Sequence, residues 1–170
     1  PSPCWMVYRD DLEQAGAFRP HRYPEDYDLV FRFYRDGLTP VVVPEVLHWW
    51  RDHPQRSSRT LEQYAAQEYF KLKVPWFLEL DYDAARPLVL WGGGRKGKRL
   101  ADHLLREEVS FTWICDTPSK WGHRIRGQIM HAPGQLAKLV NPQIIIAVSG
   151  RNDQIEIRGE LQQFNLKEGN

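Results

Sequence analysis

Residues 87–116 read PLVLWGGGRKGKRLADHLLREEVSFTWICD and predict a strand, a glycine turn, a helix, a second strand and a terminal acid. The four apolar residues at 88–91 form a continuous run, which is typical of a strand buried on both faces of a sheet. Leu100 and Leu104 follow at helical spacing, and the apolar residues within 109–114 predict the second strand. This alternation predicts a parallel sheet with helical crossovers.

The glycine turn matches the pattern G-x-G-x-x-G, with Gly92, Gly94 and Gly97 at its three glycine positions. The first glycine permits a tight turn, the second lets the backbone approach a pyrophosphate, and the third lets the helix pack closely on the strand. The N–H groups and the positive dipole end of the helix would then face the anion. Asp116 lies 24 residues after Gly92, near the spacing of an acid that bonds a ribose hydroxyl.

Two interpretations of this stretch remain open. In the functional interpretation, the turn and the terminal acid bind a nucleotide through Gly92, Gly93, Gly94, Arg95, Lys96, Gly97 and Asp116. In the structural interpretation, the glycines only form the turn, and the cations within 95–99 are a solvated basic face. Both interpretations share a Rossmann-like fold, because strand, glycine turn, helix, second strand and acid are all present.

Length and composition restrict the classes of protein to which the chain can belong. The 170 residues suffice for one large or two small domains, and 42% hydrophobic with 26% charged residues is ordinary for a globular protein. The net charge of +1 gives no argument for nucleic-acid binding. Cys4 and Cys115 match no metal-binding spacing and fit free thiols in a reducing cytosol. No apolar run approaches the roughly 18 residues of a membrane-spanning helix.

The alternation of strands and helices continues after Asp116. The sequence predicts a short strand at 124–130 with a turn at Gly127, a helix at 133–140, a third buried strand at 143–149 and a helix at 154–164. Parallel sheets of this kind bind ligands at the carboxyl ends of their strands. The glycine turn, Asp116 and residues 149–150 would therefore lie at one edge of the sheet.

The first 86 residues are less regular. The sequence predicts a helix at 26–37, short strands at 39–44 and 46–51, and a helix at 61–77 that Pro75 ends or kinks. The residues expected on the buried face of the first helix are Leu29, Val30, Phe33 and Tyr34. An acidic linker at 79–86 is the predicted boundary, so the predicted regions are 1–60, a helix with linker at 61–86, and a domain at 87–170.

Two groups of residues in this first part could carry chemistry. Glu25 and Asp26 stand at the start of the predicted helix, where a carboxylate either caps the helix or acts as a general base on a hydroxyl. Arg51 and His53 belong to an aromatic cluster at 48–53. This cluster is either an amphipathic strand or a site where both residues face a diphosphate and His53 binds a divalent metal. Spacing alone does not decide between these interpretations.

A series of short segments in residues 1–60 carries a family resemblance. In order, these are residues 2–9, Leu12, Gly16-Ala17-Phe18, Tyr23-Pro24-Glu25-Asp26-Tyr27-Asp28-Leu29, Arg32, Gly37, Val43-Pro44-Glu45-Val46-Leu47, Arg51-Asp52-His53 and Ser57-Ser58. With this series, residues 1–60 resemble the C-terminal half of a family-2 glycosyltransferase catalytic domain of the GT-A type.

That resemblance implies specific roles for four residues. Asp26 would be the catalytic base of an inverting transfer, with Glu25 supporting it. Arg51 and His53 would lie by the donor diphosphate and its divalent metal, usually Mg²⁺ or Mn²⁺, with His53 at the metal. Sugar would pass from a nucleotide-sugar donor to a hydroxyl of a glycan or lipid-linked acceptor.

The chain departs from that family in one respect. The family carries an Asp-x-Asp metal motif and its nucleotide-binding fold in the N-terminal half, and no Asp-x-Asp precedes Asp26 here. Asp26-Tyr27-Asp28 and Asp81-Tyr82-Asp83 have the letters without that context. We therefore expect the chain to be an excerpt of a longer protein and to lack transferase activity by itself.

A second resemblance covers the C-terminal part. Residues 91–97, 114–116, 120–122 and 144–149 resemble segments of small Rossmann-like domains appended to bacterial sugar-modifying enzymes, including some glycosyltransferases and sugar acetyltransferases. This resemblance implies binding of a nucleotide or nucleotide-sugar. No Tyr-x-x-x-Lys follows the glycine motif, which counts against hydride transfer.

The sequence thus predicts an α/β protein in which a C-terminal Rossmann-like domain with a parallel sheet follows a partial GT-A segment and a helical linker. The predicted function is that of a fragment of a bacterial glycosyltransferase of polysaccharide biosynthesis, with an accessory nucleotide-binding domain. The alternatives are a non-catalytic nucleotide-binding regulatory module and a dinucleotide-dependent oxidoreductase or epimerase. The predicted location is cytoplasmic or peripheral at the inner face of the membrane.

Overall fold

The computed structural model describes residues 4–20, 24–51, 53–164 and 166. The chain divides into two compact units, Pro1–Leu80 and Asp81–Asn170. None of the helices in the described part of the chain is long and apolar enough to cross a membrane. The assignment of the first residues to a GT-A segment stays a prediction.

The first unit is built from helices. They are α1 (Arg9–Gln14), α2 (Glu25–Arg35), α3 (Ser57–Thr60), the 3₁₀ helix Glu62–Tyr64 and α4 (Ala66–Leu80). Pro75 does not end α4, which starts later than predicted and continues for five residues beyond it. Proline removes the N–H that would bond the carbonyl of Lys71, and the helix nevertheless continues past it with the side chain of Trp76 buried.

The buried face of α2 differs from the predicted one. Its buried residues are Asp28, Leu29 and Arg32. Val30 and Tyr34 are exposed, so the prediction is wrong at these two positions. Nη2 of Arg32 lies 2.9 Å from Oδ2 of Asp28, and Nη1 donates to the carbonyl of Ala15. The two charges can be buried because they compensate each other and form hydrogen bonds.

Residues 38–51 form neither of the two predicted strands. Every residue of this segment is described, and none belongs to a helix or a strand. Val41 is 87% exposed and Trp49 is 88% exposed. A strand requires a hydrogen-bonded neighbour, and the sequence pattern of a strand does not supply one.

The second unit contains one five-stranded sheet. Its strands are β1 (Leu88–Trp91), β2 (Thr112–Ile114), β3 (Arg124–Ile125), β4 (Gln128–His131) and β5 (Gln143–Ile146). Its helices are α5 (Arg95–Arg106), α6 (Arg151–Gln163) and the 3₁₀ helices Pro118–Lys120 and Pro133–Lys138. The α/β fold predicted for this part of the chain is therefore confirmed.

The strands lie in the order β3-β4-β2-β1-β5, with β3 antiparallel to β4 and the other pairs parallel. If the four parallel strands are numbered by their order along the chain, their order across the sheet is 3-2-1-4. This is the strand order of a Rossmann sheet. The direction of the winding reverses between β1 and β5. Sheets of this kind bind ligands outside the carboxyl ends of the strands at that reversal.

A hairpin of β3 and β4 takes the place of a helical crossover after β2. Arg124 pairs with Ile129, and Arg126 and Gly127 form the turn, as predicted for Gly127. Two other predicted elements are shorter than expected. The helix at 133–140 is a 3₁₀ helix that ends at Lys138, and the strand at 143–149 ends at Ile146.

Side chains on both faces of the sheet are buried. On one face, Val89, Trp91 and Ile114 pack with Leu136 and with Ile157 of α6. Side chains alternate along a strand, so Leu88 and Leu90 of β1 point to the opposite face. The buried residues of α5, which contacts β1, are Gly97, Leu100, Ala101 and Leu104. The glycine turn between β1 and α5 is therefore anchored at both ends in the core.

Candidate functional site

Gly92 directly follows β1 and is held between the two neighbouring strands. Its N–H donates to the carbonyl oxygen of Ile114 at 2.8 Å. A Cβ on this residue would lie 2.8 Å from the carbonyl oxygen of Ala147, just past β5. Its φ of +140° is strained for any residue with a side chain. The turn therefore requires glycine at this position.

Gly97 lies in the first turn of α5, directly against the end of β1. A Cβ on Gly97 would overlap the carbonyl oxygen of Gly92. The helix can approach the strand this closely only because Gly97 has no side chain, which is the role predicted for the third glycine.

The substitution Gly97→Ala is expected to destabilise the second unit by about 2–3 kcal/mol, because the added methyl group displaces α5 from β1. Gly134→Ala is the matched control, since Gly134 also lies in the first turn of a helix and no described atom is within 4 Å of its Cβ position. Urea unfolding followed by near-UV circular dichroism measures both variants. An unfolding midpoint of Gly97→Ala equal to that of the control would contradict the close packing.

Gly94 is the N-cap residue of α5, and the fold does not require glycine there. Its φ of −85° and ψ of −169° are accessible to other residues. Apart from its two chain neighbours, no described residue has an atom within 4 Å of its Cβ position, and the residue is exposed. The second glycine of the motif thus leaves open space next to the backbone at the start of a helix.

Four cations lie in the first turns of α5, namely Arg95, Lys96, Lys98 and Arg99, and its first turn contains no Asp or Glu. The N–H groups at the start of a helix carry partial positive charge, so cations there are unfavourable and anions are favourable. This end of α5 is therefore strongly electropositive, and an anion bound there would offset the repulsion.

Asp116 follows β2, and both of its carboxylate oxygens lie 3.0 Å from Nε1 of the buried Trp91. The indole donates to the carboxylate, so a core residue orients the predicted ribose-binding acid. The sequence placed Trp91 in the strand and in the segment that resembles Rossmann-like domains, but did not predict this bond, although its strand partner Ile114 lies two residues before Asp116. Burial, and then the charges of Asp116 and Glu156, raise the pKa of Glu160 in α6.

Lys120 is a further residue at the turn that the sequence did not predict for the site. Its ammonium donates to the carbonyl oxygen of Gly93 at 3.1 Å. A Cβ on Gly93 would lie 3.1 Å from Cβ of Cys115 and 3.4 Å from Cδ of Lys120. The indole of Trp121 donates to the carbonyl of Cys115 at 2.8 Å. The loop after β2 is therefore packed closely on the glycine turn.

In the first unit, Glu25 and Asp26 form the start of α2. The hydroxyl of Tyr64 lies 2.9 and 2.8 Å from the two carboxylate oxygens of Glu25 and donates to that carboxylate. Oδ1 of Asp26 accepts the N–H of Tyr27 at 2.9 Å, whereas the N-cap residue is Pro24 and makes no side-chain cap hydrogen bond. Burial, and then the acidic groups of Tyr27, Asp26 and Glu25, raise the pKa of Tyr69. A tyrosine hydroxyl therefore fixes the carboxylate of Glu25, and the charges of both carboxylates act on Tyr69.

Arg51 and His53 are exposed and lie in a segment without helix or strand. Asp52 and Tyr23, which belong to the family resemblance, lie outside the described residues. The role of Arg51 and His53 at a donor diphosphate stays a prediction.

The metal implied by the family resemblance requires several donor groups in one place. Among residues 4–20, 24–51, 53–164 and 166, no three side chains of His, Cys, Asp or Glu form a group that could hold a metal ion. The described residues therefore do not form a metal site by themselves, and we assign no chemical step to a metal.

Comparisons of the chain with protein-family models, with curated proteins and with solved structures gave no match. The two resemblances drawn from the sequence therefore stay predictions.

Proposed function

We propose that residues 81–170 bind a nucleotide or nucleotide-sugar with its diphosphate at the start of α5, and that the chain is part of a sugar-transferring enzyme. The observation that carries the binding proposal is the environment of Gly94. The fold has room for a side chain at this position, yet the residue is glycine. A diphosphate that approaches the backbone closely explains that choice, because it would occupy the space of a side chain.

Charge and topology support an anionic ligand at this place. Four cations and the helix dipole make the start of α5 electropositive. The glycine turn lies next to the reversal between β1 and β5, where sheets of this order bind ligands. Asp116, held by the indole of Trp91, stands at the end of the neighbouring strand and would accept a hydrogen bond from a ribose hydroxyl.

The substitution Gly94→Val tests this proposal. We expect it to weaken binding of the nucleotide by about tenfold or more, since the branched side chain fills the space that the phosphate needs. Gly134→Val is the matched control, because it also adds a side chain in open space at the start of a helix. Calorimetric titration with UDP-, GDP- and dTDP-sugars and NAD measures the affinities, with and without manganese.

The possible results of that titration separate the two interpretations of the turn. Metal-independent binding that Gly94→Val removes and Gly134→Val retains supports the site at α5. Binding that survives Gly94→Val places the ligand elsewhere. Failure of the wild-type chain to bind any of these nucleotides would mean that the glycines only form the turn.

The geometry of α2 favours Asp26 as the base of a transfer reaction. Three acids lie in the first turn of this helix, and each has different contacts. Asp28 is buried and paired with Arg32, and Glu25 accepts the hydroxyl of Tyr64. Asp26 is half-buried, as Glu25 is, and its carboxylate accepts the N–H of Tyr27. Unlike the other two carboxylates it bonds no side chain among the described residues, which leaves it available to an acceptor hydroxyl.

In the proposed reaction, Asp26 takes the proton of the acceptor hydroxyl while that oxygen attacks the sugar of a nucleotide-sugar and the nucleoside diphosphate leaves. Glu25 is the neighbouring carboxylate, and Tyr64 fixes its position. We propose that the nucleotide-binding site of the second unit is an accessory to this reaction. Its groups would bind a ligand through hydrogen bonds and charge.

A further inference from the structure

Lys120 adds a fifth cation to the glycine turn, from a different element. It ends the 3₁₀ helix Pro118–Lys120, four residues after Asp116, and its ammonium donates to the carbonyl of Gly93. A lysine ammonium has three N–H donors, and this bond uses one of them. The side chain is half-buried with its stem against Gly93, so the ammonium is held at the turn.

The ammonium lies close to the end of α5. The carbonyl of Gly93 and the nitrogen of Gly94 belong to one peptide group, so the ammonium is at most about 5.4 Å from that nitrogen. Gly94 is the N-cap of α5, where the diphosphate is proposed to bind. Asp116, the proposed ribose-binding acid, precedes Lys120 in the same loop. A diphosphate bound at the start of α5 would therefore lie near the ammonium of Lys120.

We propose that Lys120 is a phosphate-binding residue of this site and contacts the phosphate attached to the ribose. This inference rests on the proposed function of the second unit. The competing explanation is that the ammonium only ties the loop to the turn. The two explanations differ in one measurable quantity, because a residue that binds phosphate distinguishes a nucleotide from its nucleoside.

Three variants test the inference. Lys120→Met keeps the length and the apolar stem but removes the charge and the donors, whereas Lys120→Arg keeps a cation. Lys138→Met is the matched control, since Lys138 is exposed and likewise ends a 3₁₀ helix. Each variant is titrated with UDP, UMP and uridine and with ADP, AMP and adenosine. Binding is recorded by NMR, because that method measures weak binding.

We expect Lys120→Met to weaken binding of UMP and UDP, or of AMP and ADP, by about tenfold or more and to leave binding of the nucleoside unchanged. Lys120→Arg is expected to recover most of the affinity, and Lys138→Met to bind as the wild type does. The ratio of nucleotide to nucleoside affinity does not depend on the folded fraction, so it stays valid if a variant is less stable.

The outcomes distinguish this inference from the proposed function. If Lys120→Met leaves the nucleotide-to-nucleoside ratio at its wild-type value while the wild type binds nucleotides, Lys120 is only a structural tie and the inference is wrong. If the wild-type chain binds none of the six compounds, the proposed function fails and the inference fails with it.

Discussion

Replacing Asp26 with asparagine is expected to lower the rate of sugar transfer by a factor of about 10²–10⁴, in an enzyme that carries this chain together with a donor-binding half. Asparagine keeps the shape of the side chain, and its amide oxygen can still accept the N–H of Tyr27. The start of α2 is therefore retained. The amide cannot, however, take a proton from an acceptor hydroxyl, so the turnover rate at saturating donor and acceptor should fall.

Asp10→Asn is the control for this variant. Asp10 also lies in the first turn of a helix and is exposed, so its replacement should leave the transfer rate at the wild-type value. If Asp26→Asn transfers sugar as fast as the wild type, Asp26 is only a helix cap. The alternative of a non-catalytic nucleotide-binding module would then be favoured over the transferase.

Arg32→Met is expected to destabilise the first unit by about 3–5 kcal/mol. The guanidinium of Arg32 is fully buried, pairs with Asp28 and donates to the carbonyl of Ala15. Methionine leaves the buried carboxylate of Asp28 without a countercharge, and Oδ1 of that carboxylate has no hydrogen-bond partner among the described residues even in the wild type. Hydrogen exchange of the α2 amides measures the loss, because it reports the free energy of local unfolding.

Two further variants separate the buried charge from the loss of packing. Arg35→Met removes a partly exposed ion pair with Asp36 and a cation–π contact with Trp76, and we expect only a small loss of stability because water screens the ion pair. The double variant Asp28→Leu/Arg32→Met removes both buried charges and should recover most of the lost stability. Equal exchange rates in Arg32→Met and Arg35→Met would show that the buried pair does not stabilise the first unit.

Much of the second unit could be predicted from sequence because its signals are local. The apolar run at 88–91 has to be buried on both faces, and it forms the central strand β1. Gly97 is required by its contact with the backbone of Gly92, five residues earlier. Gly92 is required by its contact with Ala147, at the end of the adjacent strand. Asp116 was found by its spacing. Apart from the contact of Gly92 with Ala147, these constraints act within the unit β1–α5–β2, which is the distance that sequence patterns describe well.

The first unit could be predicted less well because its structure depends on partners. A hydrophobic pattern predicts that Arg32, as a charged residue, faces solvent. Its burial is explained by the contact with Asp28. Residues 39–51 have the composition of strands but no neighbouring strand to complete them among the described residues. The same limit applies to the site. Trp91 and Asp116 lie 25 residues apart and Gly93 and Lys120 27 apart, and no spacing rule links either pair.

The most direct test of the central claim, that the phosphate of a nucleotide binds at the start of α5, is an NMR titration of the ¹⁵N-labelled chain with UDP and ADP. We expect saturable shifts of the amide resonances of residues 92–98 and of Lys120, and much smaller shifts with the corresponding nucleosides. Saturable shifts confined to other parts of the chain, or resonances of 92–98 that do not move with either nucleotide, would contradict it.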